Sequence, residues 1–184
     1  YLMEKIKFGK NDFNKNLFDI NNIFYITCEK YWDGGYEPSA AMNEKADFYR
    51  IANQFANIIK EIVSATDDTL IIGSEISEKG CLFESWKDLR NYDAYNNLYG
   101  LINKKCSYML NLPDDSNIVD YIVENNFRYF SCIDFYLPKS KAVLQPTCHT
   151  ELFIYSKNYD LLLPIVKNIL QDYQGFYLKK YISE

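Results

Sequence analysis

The chain has 184 residues with 48% hydrophobic and 24% charged side chains, a size that fits one domain spanning residues 1–184 and buries roughly 70% of its unfolded surface without needing a disulfide or metal. Its net charge of −5 and pI near 5.0 repel phosphate backbones, which argues against nucleic acid and for a basic protein partner. Lys and Arg are scattered, with only short pairs such as Lys104-Lys105 and Lys179-Lys180, so no polybasic membrane patch is expected.

Residues 1–21 are polar and rich in Asn and Lys, predicting an irregular or briefly paired lead-in. The first firm strand is predicted at 23–28 (IFYITC), which is β-branched and aromatic. The stretch EKYWDGGYEP follows, where Gly34-Gly35 and Pro38 mark a loop surrounded by Tyr31, Trp32 and Tyr36. Rings in such a loop either pin it to the core or face a partner. With the acids Asp33 and Glu37 beside them, they suit a surface that anchors a basic protein.

From 41 to 64, Phe48, Ile51, Ala52, Phe55, Ile59 and Ile62 recur at spacings of three and four, predicting the longest helix. Asp67-Asp68 form a turn before a strand at 69–76 (TLIIGSEI), and this strand, helix, strand series points to a crossover connection. Residues 77–91 are less regular, with 81–83 a short strand candidate. A helix is predicted over 92–102, an extended stretch over 107–112, and a short helix over 118–124 entered through Pro113-Asp114-Asp115-Ser116.

Alternation over 127–137 predicts a strand with Phe127, Tyr129, Ile133, Phe135 and Leu137 on one face. Pro138 to Lys141 turn the chain, Pro146 predicts a bulge or break in the following strand, and 150–155 pairs next. Ser156 or Asn158 caps a helix to about residue 173 that contains Pro164. The expectation is one α+β domain: a mainly antiparallel or mixed sheet with two main helices, 41–64 and the C-terminal one, packed on one side.

Chemistry-bearing motifs are sparse. One histidine and no C-x-x-C or H-x-x-x-H spacing argue against a metal site. Cys148 and His149 are neighbours, so on a strand they point to opposite faces. His149 and Glu151 share a face, which permits an enzyme reading: His149 as base, Glu151 orienting it, and a cysteine from elsewhere as nucleophile. The structural alternative is a surface or hydrogen-bonded histidine. No Walker loop and no G-x-G-x-x-G occur, so no nucleotide or other cofactor is expected. Asp67-Asp68 and Asp114-Asp115 stand where turns and helix caps want acids.

Five widely spaced cysteines, Cys28, Cys81, Cys106, Cys132 and Cys148, suit free thiols in a reducing compartment. No charged-then-apolar leader opens the chain and no apolar run reaches 18 residues, so a cytoplasmic location is expected. The two residues before Met3 are expected to be a remnant of a longer sequence. Oligomeric state leaves no mark in the sequence.

The aromatic strand (FRYFSCIDFYL), the second strand (ELFIYS) and the helix with an early proline (KNYDLLLPIVKNIL) form a pattern that resembles small acidic bacterial toxin-immunity proteins and related domains of unknown function. The helix and aliphatic strand FANIIKEIVSATDDTLIIGSEI add to it, so the resemblance covers about half the chain. It implies a non-enzymatic protein that binds and neutralises a co-produced toxin.

Overall fold

Short runs of β-branched and aromatic residues, spaced by turns, pair in this chain into one antiparallel sheet that is covered on one face by helices. The computed structural model describes residues 3–8, 13, 18, 22–30, 42–73, 93, 97, 106–112, 114–128 and 133–182. Its strands are β1 (Glu4–Ile6), β2 (Phe24–Cys28), β3 (Leu70–Ile72), β4 (Ser107–Leu110), β5 (Phe135–Leu137), β6 (Ala142–Thr147), β7 (Glu151–Ser156) and β8 (Phe176–Lys180). The helices are α1 (Met42–Thr66), α2 (Ser116–Phe127) and α3 (Tyr159–Ile169), the last ending in a 3-10 turn at Leu170–Asp172. This is the expected α+β class. The strand order is β1-β4-β3-β5-β6-β7-β2-β8, and every neighbouring pair is antiparallel.

Four antiparallel steps separate β2 from β3, so those two strands run parallel, and α1 carries the chain between them past β7, β6 and β5. The expected crossover exists, but it spans the sheet instead of joining neighbours. One stripe of α1, including Phe48, Ile51, Phe55, Ile59 and Ile62, is buried against the sheet. The helix stops at Asp67, whose φ of 49° turns the chain out, while the Asp67 and Asp68 N–H groups donate to the carbonyls of Ser64 and Val63. These two bonds satisfy acceptors that a helix end otherwise leaves open.

Parity decides what each strand residue meets. Ile26, Leu70, Ile72, Leu110, Phe135, Leu144, Leu152, Ile154 and Phe176 point to the helix side and form the main core with α1, α2 and α3. Ile71, Tyr136 and Val143 point the other way, where Phe13 and Phe18 join them in a second, smaller cluster.

Three sequence expectations change. Residues 127–137 are not one strand: Phe127 ends α2, and among the described residues of this stretch only Phe135–Leu137 is extended and paired. The helical spacing Ile118, Val119, Ile122, Val123, Phe127 continues to a ring packed edge-on against Phe55 at 5.1 Å, and that burial outweighs the local alternation. Pro146 neither bulges nor breaks β6, which pairs with β7 from Ala142 to Thr147. Because β5 reaches only as far as Leu144, Pro146 lies beyond its end, and the Pro146 carbonyl accepts instead from the buried Asn126 side chain at 3.1 Å. The C-terminal helix stops at Ile169, and Gly175 (φ 82°) then turns the chain into β8, an unexpected strand that pairs with β2.

The expected strand at 81–83 lies outside the described residues, as do most of the 92–102 helix and the end of the 69–76 strand. Among the described cysteines, Cys28, Cys106 and Cys148 are free thiols. No described helix is long and apolar enough to cross a membrane.

Candidate functional site

With α1, α2 and α3 packed on one face, the other face of β7, β2 and β8 is composed of alternate residues read directly from the register. One row across these strands holds Phe153, Tyr25 and Lys179, and the next holds Thr27 and Tyr177 with Glu151 beside them. The Tyr25 and Phe153 rings stack at 5.3 Å with 18° between their planes, and Phe153 continues the row to Tyr155 at 6.3 Å and Tyr181 at 5.8 Å. Tyr25, Phe153 and Tyr155 are half-buried, whereas Tyr177 and Tyr181 are 45% and 38% exposed. Aromatic side chains are thus concentrated on a face that the described helices do not use.

Hydrogen bonds fix two of these rings. Tyr155 donates to Gln145 Oε1 at 3.1 Å, and burial pushes its hydroxyl pKa up to about 12. Tyr177 donates to Glu29 Oε1 at 2.6 Å, and that bond to a carboxylate raises the Tyr177 pKa above the usual range. Glu29 is exposed just past β2, with its N–H donating to the Gly175 carbonyl. Tyr25 is raised first by desolvation and then by the Glu151 charge. Burial also raises Glu151 above the ordinary carboxylate range, against the opposing fields of His149 and Lys179.

The residues singled out from sequence fall in different places. His149 is exposed in the Cys148–Thr150 turn between β6 and β7, not on a strand, and its N–H donates to Thr147 Oγ1 at 3.4 Å. Glu151 opens β7 and lies within electrostatic reach of His149, and Cys148 is half-buried in the same turn. Cys28 is buried at the end of β2, its thiol donates to the Lys30 carbonyl at 2.6 Å, and burial pushes its pKa up to about 11. Such a thiol is protonated at neutral pH, the reverse of what a nucleophile needs. Tyr31, Trp32, Asp33, Tyr36 and Glu37 lie outside the described residues. Among the described residues no group of acids, cysteines and histidine could hold a metal ion.

A separate cleft of about 800 Å3 lies toward the opposite end of the sheet, between the end of α1 and the start of α2, lined in part by Glu4, Lys60, Asp67, Asp68 and Asp115. Several of its charges are already engaged. Asp68 accepts from the N–H groups of Thr69, Lys139 and Ser140, Asp67 pairs with Lys139 at 2.8 Å, Asp115 accepts from the Asn111 N–H, and Lys60 pairs with Asp120 at 2.8 Å. These acids hold turns and a helix entry, as their positions in the sequence implied.

Tyr25, Phe153 and Tyr177 were legible only through parity. FYITC, ELFIYS and FYLKK each place aromatic or charged residues between core-facing ones, so two fully buried faces are excluded. No family model, no curated protein and no solved structure matches this chain.

Proposed function

We propose that this chain is a non-enzymatic protein-binding domain that works in the cytoplasm and takes a basic protein partner on the β7–β2–β8 face. An immunity protein that neutralises a bacterial toxin is the form of this function implied by the sequence resemblance. The observation that carries the reading is the stacked Tyr25–Phe153 pair, left half-exposed beside Tyr155, which itself packs on Phe18, where folding alone would favour burial or polar replacement. Finishing the burial of such a half-buried ring against a partner is worth about half of the roughly 1.5–3 kcal/mol that full burial brings, and tyrosine is enriched in interface hot spots. The net charge of −5 supplies the complementarity for a basic partner.

The test is a random peptide display library panned on the wild-type protein and then on the Tyr25→Ala/Phe153→Ala double variant. Enriched peptides are expected to be basic with apolar anchors, and to lose about tenfold or more in affinity on the variant. Circular dichroism should show both proteins folded. No enrichment over a blank support, or peptides that bind both proteins equally, overturns the reading.

A further inference from the structure

Resting on that protein-binding reading, we propose that Tyr25, Glu151, Glu29 and Tyr177 form a notch around Thr27 that receives an arginine side chain of the partner.

The register places these residues. Thr27 sits opposite Tyr177 of β8. On its other side it is the next residue after the Ile26–Leu152 pair, which brings Glu151 beside it. Tyr25 precedes it by two residues and leaves the strand on the same face, and the bond from the Tyr177 hydroxyl holds Glu29, just past the strand, on that side too. A short side chain is therefore ringed by two adjacent carboxylates and two adjacent tyrosines, in the order Tyr25, Glu151, Glu29, Tyr177. Thr27 is only 7% exposed, so the longer side chains stand over it as walls.

Three of the four walls have capacity left for a ligand. Among the described residues the Glu151 carboxylate, though half-buried, has no hydrogen bond and no ion pair; only the more distant fields of His149 and Lys179 act on it. A carboxylate withdrawn from water without a partner is costly, and a cation delivered to it recovers that cost. Glu29 uses Oε1 for the Tyr177 hydroxyl, which leaves Oε2. Tyr25 is covered by Phe153 on one ring face only within the β2–β7 pair.

Arginine fits this set better than lysine. Its guanidinium is planar, stacks on an aromatic face, and presents donors in a fork that two separated carboxylates can share. A lysine ammonium is a hydrated point charge that gains little from the Tyr25 ring. Lys179, directly opposite Tyr25, sets a positive rim on one side and so directs the incoming cation toward the two acids.

The experiment titrates N-acetyl-arginine amide into the isotope-labelled protein, follows the amide NMR signals of Thr27, Glu151 and Tyr177, and uses N-acetyl-citrulline amide as the uncharged control of the same shape. Saturable, millimolar-range shifts centred on Thr27 are expected with arginine and none with citrulline. Glu29→Gln/Glu151→Gln should weaken the arginine response about fivefold or more, and the lysine analogue should bind less well than arginine. Equal responses to arginine and citrulline, shifts centred elsewhere, an unchanged response in the double variant, or no saturable shift overturns the notch. Failure here is separable from failure of the binding reading: displayed peptides that need Tyr25 and Phe153 but bind Glu29→Gln/Glu151→Gln as tightly as wild type would remove the notch and leave the interface standing.

Discussion

Asn126 is the side chain whose loss the fold should feel most sharply for its size. It sits at the end of α2 with 1% of its surface exposed, donates through Nδ2 to the carbonyls of Ile133 at 2.9 Å and Pro146 at 3.1 Å, and accepts from the Ile133 N–H at 3.3 Å. One amide thereby ties the helix to the approach to β5 and to the end of β6. Asn126→Ala removes all three bonds and leaves three main-chain groups without that partner, in a place where each costs about 1–3 kcal/mol. Water entering the space left by the amide recovers part of this, so the expected loss is about 3–5 kcal/mol. That is a large share of the roughly 5–15 kcal/mol that holds a typical domain together. Urea unfolding followed by circular dichroism measures it as a lower midpoint at nearly unchanged slope. Asn126→Asp separates the donors from the packing: it keeps the volume and an acceptor for Ile133, but when ionised it has no donor for the two carbonyls. Its deficit should exceed that of the alanine variant at pH 7 and shrink near pH 4, where a protonated carboxyl regains one donor. If both variants lose less than about 1 kcal/mol, the three bonds do not hold this corner and the reasoning is wrong.

Three other perturbations follow from local environments. Glu151 has a folded-state pKa raised by burial, so charging it costs more in the folded than in the unfolded chain. That penalty is absent below the unfolded value near 4.5 and complete above the folded value, so Glu151→Gln should raise the melting temperature at pH 7, with the gain fading as pH falls below about 4.5; an equal gain at both pH values would refute the electrostatic cause. Cys28, at about 11 against an ordinary 9.0, should carry about a hundredfold less thiolate than an unperturbed cysteine. Peptide mapping after brief alkylation at pH 8 should find it almost unmodified in the native protein and fully modified in urea, and rapid native labelling would contradict its burial. At Gly73 an added Cβ would stand 2.6 Å from Tyr136 Cε2, on a ring that is itself wedged between Phe8 at 5.4 Å and Phe13 at 5.8 Å. Gly73→Ala should therefore cost about 1–3 kcal/mol by overpacking, and combining it with Tyr136→Leu should recover part of that in the same urea assay.

Where helical or alternating periodicity was long and agreed with tertiary burial, the elements could be read from sequence. The stripe of α1 and the alternation of β2 and β7 are of that kind, because the residues that repeat are the ones the core takes. The failures are local patterns overruled at a distance. Phe127 fits a strand alternation as well as a helix stripe, and what decides it is Phe55, which lies 72 residues earlier and meets it only after the chain has folded. Pro146 reads as a breaker unless one knows that β5 has already ended and that Asn126 supplies a donor to its carbonyl. β8 is five residues long and follows a helix whose cap signals are weak, so nothing local separates FYLKK from the end of that helix.

For the site, the obstacle is of another kind. Tyr25 with Glu29, Glu151, and Tyr177 come from three segments, 26 to 152 residues apart, and only the strand order β7-β2-β8 makes them neighbours. Single-sequence reading weighs residues by what stands next to them, which is why the lone His149 and the ring-rich stretch around Gly34-Gly35 drew attention first. The structure leaves His149 exposed in a turn and gives Cys28 a thiol that burial keeps protonated, so of the described cysteines Cys28 is unsuited to act as a nucleophile. Glu151, an orienting acid for His149 in the enzyme reading, is half-buried, raised in pKa by that burial, and without a hydrogen-bonding partner among the described residues. The β2–β7 register sets Glu151 beside Thr27, and its half-burial makes its charge costly to keep unpaired, which is why the proposed arginine contact centres on it.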